Sequence, residues 1–274
     1  MVWAGEIPAE LAAAAARGEA EAQYRLAQAY VRGDGVGRDL RKSYELMEKA
    51  AQQGHAEALG GIGYFHATGS VVAQDLAKAA EWFRKGAEKG GAKAQLNLGQ
   101  ALLNGRGVPV NEAEGLQWID RAAAQELPQA FYAQGDLLFH GKSGRQRDRK
   151  AAMQLFRQAA DLDDSKAEYM IGVIYHDGIE VAADLALAER WYRQAAEQGD
   201  AKAQSQLGQL LGPDGPDASM HVEALKWLLL ASDQKEAEAR QILDEILPHR
   251  PVGEVDQARR QAAAFKPRPS AGGK

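Results

Sequence analysis

The sequence predicts an all-α solenoid of about six 36-residue helix-turn-helix repeats, and three observations predict it. The stretches GGAKAQLNLG (90–99) and GDAKAQSQLG (199–208) agree at seven of ten positions. Stretches in the same register begin at Ala20, Ala56, Ala92, Pro128, Ser165, Ala201 and Ala237, every 36 residues apart from one interval of 37. Four of the five tryptophans then fall in a single column, Leu46, Trp82, Trp118, Leu155, Trp191 and Trp227. A fixed period of this length marks a repeat architecture, in which each unit buries its apolar face against the next.

Within the unit, positions 1 to 13 carry small and apolar residues at positions 3, 4, 7, 8 and 11. That 3.6-residue period predicts a first helix, A. Position 3 is always alanine, and position 8 is Ala27 or a glycine (Gly63, Gly99, Gly135, Gly172, Gly208) until the last half-copy. A glycine inside a helix costs roughly 1 kcal/mol relative to alanine, so this column predicts close approach of a neighbouring backbone. Gly33, Gly69, Gly105, Gly141 and Gly178 follow helix A where a C-terminus favours positive φ. Asp39, Asp75, Asn111, Asp148 and Asp184 come next, as N-caps of a second helix, B. The tryptophan column on helix B is expected to wedge between units.

The ends fit the same scheme. A half-repeat over 7–18 precedes repeats 20–55, 56–91, 92–127, 128–164, 165–200 and 201–236. A half-repeat with a capping helix follows over 237–265, and 266–274 reads as a disordered tail. The loop GPDGPDAS of the sixth repeat departs from the Gly-x-Gly-Val pattern.

Composition restricts the function. With 274 residues, 33 basic and 38 acidic side chains and a net charge of −5, the chain has no general basic footprint for nucleic acid. It has no cysteine, so disulfides and thiolate chemistry are excluded. No stretch has the ~20 apolar residues that span a bilayer, and no signal peptide is recognisable. The chain reads as soluble and monomeric, cytoplasmic, or periplasmic had a signal been removed.

These columns resemble the Sel-one-like repeat (SLR) family, a branch of the tetratricopeptide (TPR) superfamily. Residues 20–54 carry the resemblance in AEAQYRLAQAY, GDGV, Asp39 and EKAAQQG, and residues 92–123 in AKAQLNLG, GRGV, Trp118 and RAA. The resemblance implies a right-handed superhelix of antiparallel helix pairs and a function of binding rather than chemistry. Bacterial relatives of this kind act as adaptors, envelope regulators or effector-neutralising proteins.

Nothing in the residues points to catalysis, a metal or a cofactor. The six histidines stand in no metal-ligand spacing, GDGVGRD (33–39) follows a helix and so reads as a turn rather than a phosphate loop, and KSGRQRDRK (142–150) reads as a solvated basic loop. The expected binding surface is the concave wall of A helices, at positions the stack itself does not need: Tyr24, Gln28, Tyr64, Leu96, Gln100 and Tyr132, then Asp136, Phe139, His140, Tyr169, Val173 and His176. Rigid tyrosines among amides suit a partner-binding surface. The function expected is a non-enzymatic scaffold holding a protein or peptide. One alternative is an envelope or immunity protein that occludes a secreted toxin or lipase. A third is a hydrolase or glycan-processing enzyme.

Overall fold

The computed structural model describes residues 6–212 and 218–268, and these form helices and connecting turns with no strand among them. In chain order they are α1 (Ala9–Ala16), the pairs α2 (Ala20–Arg32) and α3 (Leu40–Gln52), α4 (Ala56–Thr68) and α5 (Leu76–Glu88), α6 (Ala92–Asn104) and α7 (Glu112–Ala123), α8 (Pro128–His140) and α9 (Arg149–Asp161), α10 (Ser165–Asp177) and α11 (Leu185–Glu197), α12 (Ala201–Leu211) and α13 (Ala218–Asp233), then α14 (Ala237–Ile246), a 3-10 turn (Leu247–His249) and α15 (Val252–Ala264). The even-numbered helices from α2 to α12 are the A helices and the odd-numbered ones from α3 to α13 the B helices. The solenoid forms two compact units, Met1–Leu137 with Gly141–Gln146, and Leu138–His140 with Arg147–Lys274.

Helix boundaries follow the punctuation of the repeat. Gly33, Gly69, Gly105, Gly141 and Gly178 sit at φ 65–79°, ending the first five A helices in the left-handed region. Asp39, Asp75, Asn111, Asp148 and Asp184 each accept a bond of 2.9–3.2 Å from the backbone N–H three residues on, capping the first five B helices. The sixth-repeat loop lies at the edge of residues 213–217, outside the described residues.

The mid-helix glycines answer to a column next to the tryptophans. Met47, Phe83, Ile119, Phe156, Tyr192 and Leu228, each one residue after the tryptophan position, are all buried. A Cβ on Gly63 would lie 2.7 Å from the Phe83 ring, one on Gly172 would lie 2.5 Å from the Tyr192 ring, and one on Gly208 would lie 2.7 Å from Leu228. In these repeats helix B presses a large side chain onto the glycine of its own A helix. In the third repeat the backbones also meet, since a Cβ on Gly99 would stand 2.8 Å from the Gly115 carbonyl and one on Gly115 2.9 Å from the Gly99 carbonyl. Gly99→Ala is therefore expected to destabilise by about 1–3 kcal/mol through overpacking, against alanine's better helix propensity. Urea unfolding measures it, and an unchanged or raised midpoint would contradict this contact.

The tryptophans behave less uniformly than their shared register predicts. Trp118 and Trp227 are buried, whereas Trp82 and Trp191 are half-buried. Each buried indole donates to a glutamate one turn earlier, Trp118 to Glu114 and Trp227 to Glu223, both at 3.2 Å. Those glutamates are held in turn by an arginine of the preceding B helix, Glu114 by Arg84 and Glu223 by Arg193. The hydrogen bonds from Arg84 and Trp118 hold the Glu114 carboxyl below the usual glutamate range.

Position 4 of helix A was expected to be apolar, but in four repeats it is a buried polar side chain. Gln23, Gln95 and Gln204 each donate to a carbonyl eight residues back, Ala15, Ala87 and Ala196, at the end of the preceding helix. Their amide oxygens accept from Gln53, Gln125 and Gln234, which lie 30 residues on at the end of helix B. These amides satisfy helix-end carbonyls that burial would otherwise leave costly. The fifth repeat places Glu168 there, accepting from Gln198 at 2.8 Å.

The chain ends close on their neighbours. Helix α1 packs along α2, and α15 lies along α13 with Ala258 buried among Leu225, Leu228 and Leu243. Past α15, in the segment expected to be a disordered tail from 266, Arg268 donates its backbone N–H to the Glu197 carbonyl at 2.7 Å. Its guanidinium lies 3.8 Å from both Asp163 and Glu168, and residues 269–274 lie outside the described residues.

Candidate functional site

In the first unit, the A-helix face forms a cavity of about 360 Å³ over α2, α4 and α6. It exists because position 5 of the second repeat is Gly60, between Tyr24 and Leu96 in the neighbouring repeats. The Gly60–Gly61 pair lets α6 and Met47 close in beneath, since Cβ atoms there would lie 3.0 Å from Ala94 Cβ and 2.3 Å from Met47 Sδ. The floor is apolar, with Val31, Leu40, Met47 and Phe65. Tyr64 stands at the mouth with 57% of its surface exposed.

Tyr24 forms one wall, fixed from two sides. Its hydroxyl accepts from Gln28, and its ring stacks on His55 with centroids 4.7 Å apart. His55 is itself immobilised: its Nδ1 accepts from the Ala58 N–H, which places the proton on Nε2, 2.9 Å from Glu21. Burial, and after it the charge of Glu57, push the Tyr24 phenol above its ordinary pKa, so it stays neutral. Glu57 lines the same cavity, and its Oε2 is buried with no hydrogen-bond partner.

Of the other residues expected on this face of the first unit, Gln100 is exposed and Tyr132 and Asp136 are half-buried, with Asp136 accepting from Lys142 at 3.2 Å. Leu96 corrects the expectation. It is 7% exposed and packed among Ile119 and Ala122 of its own helix B and Ala133 of the next repeat, which together cover it.

In the second unit Tyr169, Val173 and His176 form a half-buried patch over Tyr192. The rings of Tyr169 and Tyr192 lie 5.9 Å apart, and the Tyr192 hydroxyl is 3.5 Å from His176 Nδ1. His140 is exposed. Phe139 is a second correction, being 7% exposed, packed on Phe156 at 6.0 Å and covered by the Arg149 guanidinium. Of the residues lining the cavity, Tyr24, Gln28 and Tyr64 were in the expected set, while the others, Glu57, Lys93, Asn97, Arg38 and Leu40 among them, were not. The Gly60–Gly61 pair at wall positions was the signal that a hollow opens there.

His55 pairs with Glu21, His176 with Asp177 at 3.6 Å and His221 with Glu254 at 3.7 Å. Among the described residues no three His, Asp or Glu side chains come together as a metal site would need, and no helix is long and apolar enough to cross a membrane. The basic loop is partly neutralised within the first unit, Lys142 by Asp136 and Arg145 by Asp120.

Comparison with known proteins agrees with this architecture. A search of curated proteins gives no significant match. Among solved structures, the chain is similar to a Sel1 repeat protein from Oxalobacter formigenes, with 33% identity and a TM-score of 0.66 over 86% of this chain and 68% of that one. It is also similar to the immunity proteins Pa5087 (21% identity, TM-score 0.58, 81% of this chain and 84% of that one) and PA5088 (20%, 0.55, 91% and 85%) from Pseudomonas aeruginosa, a likeness of fold. The Sel1 repeat family model matches residues 20–55, 56–91, 92–127, 129–164, 165–200 and 201–236, in step with the A and B helices. The chain therefore belongs to the Sel1 repeat family.

Proposed function

We propose that this Sel1 repeat protein is a non-enzymatic scaffold that holds a segment of a protein partner along its A-helix face. The observation that carries the reading is Tyr64, a large ring 57% exposed at the mouth of a preformed cavity that the stack does not need. Rigid amphipathic rings beside a desolvated pocket are the usual anchors of protein interfaces. Tyr132 on another A helix of the first unit, and Tyr169 and His176 on an A helix of the second, are half-buried residues of the same kind. A second reading, an immunity-type protein that occludes a secreted effector, draws on the shared fold with the two Pseudomonas immunity proteins. It uses the same face with a larger partner.

Tyr64→Ala is expected to leave stability within about 0.5 kcal/mol, as for an exposed position. It should weaken partner binding by about 1–2 kcal/mol or more. Calorimetric titration with the partner recovered from native cells, beside thermal unfolding of both proteins, measures the two effects. Undiminished binding by a folded Tyr64→Ala variant would place the interface elsewhere.

A further inference from the structure

The cavity in the first unit is apolar inside and basic at its rim. Val31, Leu40, Met47 and Phe65 form the floor, and the rings of Tyr24 and Tyr64 stand beside it. A dry cavity of about 150 Å³ already takes up a benzene ring, so about 360 Å³ leaves room for a large apolar side chain. Three cations share the lining, Arg32, Arg38 and Lys93, against one carboxylate, Glu57, whose Oε2 is buried. Arg32 lies 3.9 Å from Asp34, which offsets its charge. Arg38 and Lys93 are exposed and make no ion pair among the described residues, so the rim is left net basic.

The hollow is also elongated. Its lining follows α2 from Tyr24 to Arg32 and α4 from Glu57 to Thr68, the latter a stretch of helix that rises ~16 Å at ~1.5 Å per residue. Lys93 lies in the first turn of α6, whereas Arg32 ends α2 and Arg38 follows it. In a stack of like-oriented A helices, basic side chains therefore stand at both ends of the hollow. An extended peptide advances ~3.3 Å per residue, so about five residues cover that length.

We propose that this cavity seats one large apolar side chain of a partner segment, Phe, Trp, Leu or Met, with an Asp or Glu two or three residues away on each side, received by Lys93 at one end and Arg38 at the other. The proposal rests on the partner segment running along the A-helix face, and it names what that segment must carry. An apolar side chain removes the floor from water, and Tyr24 and Tyr64 offer ring faces and edges to an aromatic one. Acidic flanks complement the rim and fix the segment's register, whereas a basic segment would set like charges together at both ends.

The test is a selection of random dodecapeptides, displayed on phage with their C-termini fused, on the full chain. Enriched peptides, made as C-terminal amides so that no terminal carboxylate takes part, are then titrated calorimetrically. The expected winners share a large apolar residue with acidic residues on both sides. Their affinity should fall at least about tenfold when that residue becomes alanine and on Tyr64→Ala. It should fall about three- to tenfold when the flanking acids become Asn or Gln, and as much on the double change Arg38→Gln with Lys93→Gln, which alters only exposed side chains. Peptides already stripped of their acids should lose little more on that double change, because both remove the same contacts. Binders that depend on Tyr64 but are indifferent to loss of their acids overturn the proposal and leave the A-helix face as the interface. Basic binders that depend on Glu57 do the same. Binders indifferent to Tyr64→Ala, or no binders, overturn the proposal together with the function on which it rests.

Discussion

Trp118→Ala is expected to cost about 3–5 kcal/mol, the usual range for removing a buried tryptophan. Its ring is buried among Phe83 and Ala87 of the preceding B helix and Leu98 and Leu102 of its own A helix, so one side chain joins two repeats. Truncation would empty that junction and remove the indole N–H from Glu114. It would also deprive Arg121 of the ring it covers at 4.4 Å. The Arg84–Glu114 pair would remain, half-exposed, and such pairs contribute little. Because solenoid stability is close to a sum of repeat and interface terms, the loss should be local. Hydrogen exchange should quicken in α5 to α7 more than in α1 or α2, alongside a lower urea midpoint. An unchanged midpoint, or exchange altered equally everywhere in the first unit, would contradict Trp118 as the joint between these repeats.

Glu168→Gln is expected to stabilise the protein by an amount that grows as pH rises from about 4.5 and levels off above about 7. Glu168 stands in the column filled by Gln23, Gln95 and Gln204 in other repeats and is 3% exposed. Burial pushes its carboxyl up to about 7, with Arg268 and the Gln198 amide opposing and Asp163 and Asp164 adding to the rise. Unfolded, the same group titrates near 4.5. Between those values the folded state holds a proton that the unfolded state has released, so folding weakens as pH rises through the window and levels off above about 7. Glutamine mimics the protonated form at every pH. The variant should match wild type near pH 4.5 and exceed it by about 1–3 kcal/mol at pH 8, taking ~1.4 kcal/mol per pKa unit as the upper scale. Urea unfolding of both proteins across this range measures the difference. A gap that stays constant with pH would mean Glu168 is ionised throughout.

The repeat itself was legible because its determinants are local. The αL glycines after helix A and the Asp or Asn caps before helix B act within a few residues of themselves, and both lie where their spacing placed them. The mid-helix glycines were legible as close contacts, but their partners were not. Nothing in the tryptophan column marks that the residue beside it, such as Phe83 or Tyr192, is the one that sits on the glycine. The amide column was missed because its bonds reach a carbonyl eight residues back and a glutamine 30 residues on. The sign was present all the same: where position 4 is Leu59 or Phe131, the later position holds Lys89 or Leu162 instead of glutamine.

The binding surface was legible as a face and not residue by residue. Helical periodicity assigns Leu96 and Phe139 to the same columns as Tyr24 and Val31, yet coverage depends on which side chains of helix B and of the next repeat pack over each one. Leu96 is buried because Ile119 and Ala133 lie over it, and Phe139 because Phe156 and Arg149 do. Tyr24 instead borders the gap left by Gly60. Glu57 went unnoticed since an acidic residue in the first turn of a helix is ordinarily explained by the helix dipole alone.

The most direct test of the A-helix face as the interface is site-specific photo-crosslinking in cells of the organism that encodes the protein. A benzophenone amino acid would replace Tyr64 or Tyr132 on A helices and, in separate variants, exposed Glu81 or Gln154 on B helices. The expected result is one discrete protein adduct, identified by mass spectrometry, from Tyr64 and Tyr132 and absent from Glu81 and Gln154. Adducts from the B-helix positions with none from Tyr64 or Tyr132 would contradict it.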